Sequence, residues 1–160
     1  MPATELDALA ARLDRLESIE AIRQLKARYC AGCDDDHNPE TLTALFWPDA
    51  VWEASDIARC EGHEQIRAFF QGLRDGGTMR KLAHNAINPD IDVEGDEATG
   101  HWRLIMLWTA NTPDGGTQYM RIIGWYRERY RRIDGVWKFQ HLFCQVDESG
   151  PYTVEPSRMG

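Results

Sequence analysis

Apolar residues recur at helical spacing in the first half of the chain. The first stripe lies among charged residues and consists of Leu6, Leu9, Leu13 and Leu16. This spacing predicts an amphipathic N-terminal helix that packs against the rest of the domain or against a neighbouring subunit. The stripe then restarts with Ile19, Ile22, Leu25 and Tyr29. The restart predicts a second helix, or a bent continuation of the first, that ends near Gly32.

Two further helices are expected before most of the sheet. Asn38 followed by Pro39 is typical of a helix start, with a capping side chain and a proline in the first turn. We expect this short helix to run through Phe46 and a first strand to begin at Val51. The segment Glu61-Gly62-His63 then leads into a helix with one apolar side, formed by Ile66, Phe69, Phe70 and Leu73.

From Lys81 onward the pattern is that of long strands. The predicted strands cover residues 82–93, 98–109, 118–133 and 136–146. Gly95-Asp96 and Asp134-Gly135 have the glycine-containing turn chemistry of antiparallel hairpins. Helices followed by hairpin-linked strands predict an α+β domain with its helices on one side of a curved sheet. We expect one domain over residues 1–148 and a C-terminal tail over residues 149–160.

Alternation along the strands indicates which side chains face the interior. The apolar face of the 98–109 strand should line the inside with Trp102, Leu104, Met106 and Trp108. Neither face of the 118–133 strand is uniformly apolar, so we expect its middle to be buried on both sides. In the last strand we expect four side chains to share one face: Trp137, Phe139, His141 and Phe143.

Composition narrows the classes of partner and the compartment. Eighteen Lys and Arg against 26 Asp and Glu give a net charge of −8, which disfavours nucleic acid and anionic lipid as partners. No stretch has the length and apolarity of a membrane helix, and the N-terminus lacks the pattern of a signal peptide. We therefore expect a cytoplasmic protein. Its cysteines are expected to be ordinary buried thiols; they are Cys30, Cys33, Cys60 and Cys144.

Three polar residues are candidates for acid–base chemistry. Tyr29 lies on the inward stripe of its helix, Asp34 follows within about one and a half turns, and His84 lies near the start of the first long strand. A carboxylate beside a histidine selects the imidazole tautomer and stabilises the imidazolium that forms on proton abstraction. A tyrosine hydroxyl can protonate a leaving oxygen. Each residue alone is more often structural, and Asp35 competes with Asp34 for the contact to His84.

A set of motifs spread over residues 16–145 resembles one known family. The motifs are 19–29 with Asp34 five residues later, 45–50, 62–66, 83–85, 95–100 and 132–139. In this order they are similar to the SnoaL-like proteins of the nuclear transport factor 2-like superfamily. The pattern most resembles the branch of bile-acid 7α-dehydratases and hexachlorocyclohexane dehydrochlorinases, with scytalone dehydratase more distant.

The resemblance implies a fold and a set of site residues. The fold is a cone-shaped barrel, a curved and mostly antiparallel sheet wrapped around N-terminal helices, in a homo-oligomer for which a trimer is favoured over a dimer. The implied activity is elimination without a cofactor, driven by an Asp–His dyad at Asp34 and His84 with the tyrosine at Tyr29. His141 corresponds to a cationic residue that assists the leaving group in the dehydrochlorinases. Met106 and Val146 replace polar residues of the bile-acid enzyme, which argues against a bile-acid substrate.

These observations predict a cofactor-independent lyase of the dehydratase type that acts on a hydrophobic cyclic or aromatic small molecule. The expected catalytic residues are His84, Asp34, Tyr29 and His141. The expected walls of the substrate pocket are Trp102, Leu104, Met106, Trp108, Phe139 and Phe143. The alternatives are an isomerase or a carbon–carbon lyase that uses the same dyad, and a non-catalytic binding module. No metal is expected, because the histidines and acidic residues do not follow a known ligand spacing.

Overall fold

The computed structural model describes residues 4–153 of the 160-residue chain. Along the chain the elements are α1 (Glu5–Asp34), α2 (Pro39–Thr43), β1 (Phe46–Ala54), β2 (Ala58–Glu61), α3 (Gly62–Gly76), β3 (Arg80–Glu94), β4 (Glu97–Asn111), β5 (Thr117–Ile133) and β6 (Val136–Pro151). Residues 154–160 of the predicted tail lie outside the described part. Residues 149–151, also predicted as tail, belong instead to β6, where Pro151 pairs with Met120 of β5.

The N-terminal segment forms one continuous helix rather than two. Thr4 caps α1 through a reciprocal pair with Asp7: the Asp7 backbone N–H donates to Thr4 Oγ1 at 3.1 Å, and the Thr4 backbone N–H donates to Asp7 Oδ2 at 2.9 Å. The second apolar stripe is buried against the domain at Ile22, Leu25 and Tyr29. The leucines of the first stripe are 52–75% exposed. The prediction that this stripe packs against its own domain is therefore wrong.

The six strands form one curved, open sheet in the order β2-β1-β6-β5-β4-β3. All neighbouring strands are antiparallel except β1 and β6, which run parallel. The turns Gly95-Asp96 and Asp134-Gly135 join the predicted hairpins. The α+β prediction is confirmed. Helix α2 ends at Thr43, and β1 begins at Phe46, five residues earlier than expected, with an irregular register between Phe46 and Val51.

Helices α1 and α3 cover the concave face of the sheet. The predicted inward residues of β4 are all at most 8% exposed; they are Trp102, Leu104, Met106 and Trp108. Strand β5 buries one face, through Gly124, Tyr126, Glu128 and Tyr130. Its other face is only partly covered within this chain, as at Ile123 and Trp125. Burial of the middle of β5 on both sides is therefore not observed in the single chain.

A bulge changes the face that β6 presents to the interior. Arg129 of β5 pairs with His141, whereas the next residue, Tyr130, pairs with Phe139, so Gln140 is an extra residue in the ladder. Before the bulge Trp137 and Phe139 are buried, and after it Leu142 and Cys144 are buried. The prediction that His141 and Phe143 share a face with Trp137 and Phe139 is wrong, because strict alternation does not hold across a bulge.

The four cysteines are buried and unpaired, as expected for structural thiols. Burial raises the pKa of Cys144 to about 11 and the pKa of Cys33 further above its ordinary value. Both thiols are therefore protonated at neutral pH and are poor nucleophiles. Within residues 4–153, no helix is long and apolar enough to cross a membrane.

Candidate active site

Asp34 and His84 form the closest carboxylate–imidazole contact in the concave interior. The distance from His84 Nδ1 to Asp34 Oδ1 is 2.7 Å, and the side chain of His84 is 7% exposed. The backbone N–H of His84 also donates to the same carboxylate, at 2.9 Å to Oδ1 and 3.2 Å to Oδ2. This double attachment fixes the relative position of the two residues, which are 50 positions apart in the chain.

The contact determines which imidazole nitrogen can act as a base. An ionised carboxylate only accepts hydrogen bonds, so the proton of a neutral His84 lies on Nδ1 and is donated to Asp34. Nε2 then keeps its lone pair. If Nε2 takes a proton, the Asp34 carboxylate stabilises the imidazolium that forms. The geometry is therefore that of a general base with its orienting acid.

At the end of α1, Asp34 contacts His84, whereas its acidic neighbours Asp35 and Asp36 have other partners. Asp34 is the last helical residue, and His84 faces it from β3. Asp35 is the C-cap of α1 and accepts a hydrogen bond from Asn38 Nδ2 at 2.8 Å. Asp36 lies 3.7 Å from Arg74 of α3. Of the two candidates that the sequence left open, Asp34 makes the contact to His84.

The dyad lines a cavity of about 520 Å³ between α1 and β3. Lys26, Cys30 and Asp34 are four residues apart and line it from one face of α1. The opposite wall includes His84, Ile87 and Pro89 of β3, and Trp102 of β4 closes one side. The wall is mixed, because Arg23 and Asn85 also line it, and Trp102 is the one predicted wall residue found there.

Tyr29 lies deeper in the interior, among aromatic rings. Its side chain contacts Phe46, Tyr126 and Phe139 edge to face, with ring centroids 5.5–6.3 Å away. Its hydroxyl oxygen accepts a hydrogen bond from Trp52 Nε1 at 2.9 Å. Burial raises the pKa of the Tyr29 phenol well above its ordinary value, so the hydroxyl stays protonated at neutral pH. Among the described residues, Trp52 and the buried Cys33 thiol are the hydrogen-bonding neighbours of this hydroxyl, and the dyad is not.

The remaining predicted wall residues lie in two places. Leu104, Met106, Trp108 and Phe139 are buried on the concave face, and Met106 pairs directly with His84 across β3 and β4. His141 and Phe143 lie on the opposite face of the sheet. His141 Nε2 is 3.2 Å from Glu53 Oε2, and Phe143 packs against Trp125 with ring centroids 5.7 Å apart. His141 is therefore separated from the dyad by the sheet.

His37 is an interior histidine that the sequence analysis did not select. Its ring is edge-on to His84, with centroids 6.1 Å apart, and stacks near Phe70 at 6.4 Å. Burial, followed by the charge of His84, lowers the pKa of His37 to about 4. A neutral His37 therefore borders the dyad at physiological pH. The only signal in the sequence was its place directly after three aspartates.

A buried ion pair was also missed. Lys26 Nζ lies 2.5 Å from Glu128 Oε1, and the two side chains are 1% and 0% exposed. Tyr130 donates to the other carboxylate oxygen of Glu128, and the Lys26 ammonium lies 3.1 Å from the ring centroid of Tyr126. In the sequence, the signal for this ion pair was the acidic Glu128 on the same strand face as Tyr126 and Tyr130. Its partner, 102 residues away, could not be identified from local spacing.

Within the part of the chain that the structure describes, His, Cys, Asp and Glu side chains form no group of three placed to hold a metal ion.

Comparison with known proteins identifies the family and supports the fold of the chain. A family model described as SnoaL-like domain matches residues 14–142. Hexachlorocyclohexane dehydrochlorinase 1 of Sphingobium indicum is 28% identical over 131 residues, covering 81% of this chain and 82% of that protein. The structure of a type 3 hexachlorocyclohexane dehydrochlorinase from Novosphingobium barchaimii is 27% identical, with a TM-score of 0.76 and coverage of 91% and 99%.

A third comparison supports the fold alone. A structure from Novosphingobium aromaticivorans assigned as a scytalone dehydratase has a TM-score of 0.75 at 23% identity, covering 88% of this chain and 91% of that chain. The predicted resemblance is confirmed by these matches.

Proposed function

Because the chain belongs to the SnoaL-like domain family, we propose that it is a lyase that eliminates a leaving group from a hydrophobic cyclic or aromatic molecule, using Asp34 and His84. The observation that carries the proposal is the 2.7 Å contact between these two residues at the wall of an open cleft between α1 and β3. The dehydrochlorinase names of the relatives support an elimination on a cyclic substrate.

The first step is removal of a proton from carbon. His84 Nε2 takes a proton from a carbon next to the leaving group or activated by a carbonyl, and Asp34 stabilises the resulting imidazolium. The electron pair of the broken C–H bond forms the double bond, and the leaving group departs with the electrons of its own bond. These steps require only a base, a stabilised cation and a departing group, so the proposed reaction needs no cofactor.

Tyr29 is the proposed proton donor to a leaving or developing oxygen. The indole N–H of Trp52 can only donate, so it occupies the acceptor side of the Tyr29 hydroxyl. The phenolic proton is left for the weak acceptor Cys33, which a substrate oxygen would replace. Burial keeps the phenol protonated. A substrate oxygen that reaches Tyr29 would extend from the dyad into the aromatic interior. His141 is left out of the mechanism because it lies on the other face of the sheet.

The experiment is a product analysis with matched histidine variants. Wild type, His84→Ala and His141→Ala would be incubated with hydroxylated cyclic ketones, polyketide-like aromatics, steroids, lignin-type diaryl compounds and chlorinated cyclohexanes. Mass spectrometry would identify loss of water or halide. We expect elimination by wild type and His141→Ala, and a rate at least about a thousandfold lower for His84→Ala, within the range for a general base.

Other products would redirect the proposal. A product of unchanged mass would indicate an isomerase, and loss of formaldehyde would indicate a carbon–carbon lyase with the same dyad. Binding of a compound without conversion, equal in wild type and His84→Ala, would contradict the enzyme and favour a binding module.

A further inference from the structure

The first three to four turns of α1 carry a row of leucines that this chain leaves uncovered. Residues 4–17 are all exposed, and the leucines are 75%, 52%, 56% and 64% exposed at positions 6, 9, 13 and 16. A soluble monomer rarely exposes a contiguous apolar patch of this kind. We refer to Leu6, Leu9, Leu13 and Leu16 as the leucine seam.

The leucine seam points away from the domain. Leu16 and Leu25 are nine residues apart, which is two and a half helical turns, so they lie on opposite faces of α1. Leu25 is 1% exposed and faces the sheet. Leu13 and the fully buried Ile22 have the same nine-residue separation. The helix thus has two apolar stripes on opposite faces. The outer stripe cannot contact the hydrophobic core of its own domain.

Two ion pairs hold the arm in this orientation. Asp14 contacts Arg132 of β5 at 2.7 Å, and Arg15 contacts Asp92 of β3 at 2.9 Å. These residues lie on the body side of the helix. The capping box at Thr4 satisfies the helix end in solvent. The arm is therefore held as a helix before any partner arrives, which removes much of the cost of forming it on binding.

We infer that the leucine seam pairs with the same seam of a second copy of this chain, as a short parallel coiled coil. The seam follows the three- and four-residue alternation of the a and d positions of a heptad repeat. With Leu6 and Leu13 at a, Arg12 occupies a g position and Glu17 the e position five residues later. In a parallel pair these positions of the two helices are adjacent, so Arg12 of each copy meets Glu17 of the other. The pattern is self-complementary.

The charges of the arm argue against a membrane as the occupant. Interfacial helices are rich in Lys and Arg on the polar face. Residues 4–17 instead hold more acidic than basic side chains: Glu5, Asp7, Asp14 and Glu17 against Arg12 and Arg15.

Sedimentation velocity over a micromolar concentration series tests the pairing. We expect the double variant Leu9→Glu/Leu13→Glu to form a smaller assembly than wild type, because the dissociation constant of the seam contact should rise at least about a hundredfold while contacts through other surfaces remain. Both leucines are exposed in the single chain, so circular dichroism should show an unchanged fold. A wild type that stays monomeric, or a double variant of unchanged mass, would overturn the inference.

A charge exchange tests the parallel register. Arg12→Glu and Glu17→Arg should each weaken association by about fivefold, and the two together should restore it. If the combined variant is as weak as either single one, the parallel pairing is wrong. Wild type can also be tested with phosphatidylglycerol vesicles. If it co-sediments with them and Leu9→Glu/Leu13→Glu does so less, the partner of the leucine seam is a membrane and not a second copy of the chain.

Discussion

The two faces of the sheet each carry a histidine paired with a carboxylate, in different surroundings. On the concave face, His84 is 2.7 Å from Asp34, its side chain is 7% exposed and the carboxylate also holds its backbone N–H. On the outer face, His141 is 3.2 Å from Glu53 and 26% exposed. Glu53 is shared with Arg59, which lies 2.8 Å away. The two carboxylates are similarly accessible, with Asp34 33% and Glu53 24% exposed. The burial of the histidine and the second hydrogen bond from its backbone distinguish a preorganised base from a part-exposed ion pair.

Removing one member of an ion pair should lower the free energy of unfolding far more in the interior than on the outer face of the sheet. Lys26→Met leaves the buried Glu128 without its counter-ion and should lower the free energy of unfolding by about 3–5 kcal/mol. Arg59→Met removes the exposed partner of Glu53 and should cost at most about 1 kcal/mol. Urea unfolding of both variants measures the difference. Equal losses would contradict a distinct interior environment. Lys26→Met/Glu128→Leu should recover most of the lost stability, because neither charge is then buried alone.

The interior histidine next to the dyad should make stability depend on pH. The pKa of His37 is about 4 in the folded protein, below its ordinary value of 6.5. The unfolded chain therefore binds more protons between these values, and stability falls as the pH falls from 6.5 to 4, by about 3 kcal/mol in total. His37→Asn should remove this loss, and asparagine tolerates the positive φ of 51° at this position.

The exposed His101 provides the control for this pH dependence. Urea unfolding between pH 7 and pH 4 should give nearly the same profile for His101→Asn as for wild type. An acid loss that persists in His37→Asn would show that another group is responsible.

The orienting carboxylates should differ in their effect on rate. Asp34→Asn should lower kcat about a hundredfold, because the amide no longer stabilises the imidazolium of His84. Glu53→Gln should leave kcat within about twofold. Steady-state kinetics on a converted substrate measure both, and an equal fall in the two variants would remove the distinction between the pairs.

The smallest expected effect concerns the proposed proton donor. Tyr29→Phe removes the phenolic proton and should lower kcat about tenfold for substrates that lose an oxygen leaving group. Loss of halide should change less, since chloride needs no proton to depart. Tyr119→Phe, at a 44% exposed position, is the control. Equal effects of Tyr29→Phe on both substrate classes would argue for a structural role of the hydroxyl.

Local patterns predicted the hairpins and the inward face of one strand. The hairpins β3–β4 and β5–β6 follow from the Gly95-Asp96 and Asp134-Gly135 turns, and the inward face of β4 follows from alternation. The fold places Asp34 and His84 together, as the family resemblance implied. These features depend on short-range chemistry or on ordered motifs.

The errors have equally specific causes. The face of His141 depends on one extra residue at Gln140, and a bulge leaves no mark in the hydrophobic pattern. Lys26 lies on a helix whose other charged residues are exposed, and its burial depends on Glu128 in a distant strand. The outward direction of the leucine seam depends on α1 being continuous, which the two stripes alone did not establish.

The most direct test of the account is the position of the proton on His84. Nuclear magnetic resonance of ¹⁵N-histidine-labelled protein distinguishes the two neutral tautomers of each imidazole. His84 should carry its proton on Nδ1 in wild type, and Asp34→Asn should shift the population toward Nε2. An Nε2-protonated His84 in wild type, or a tautomer unchanged by Asp34→Asn, would contradict the claim that Asp34 prepares His84 as a base.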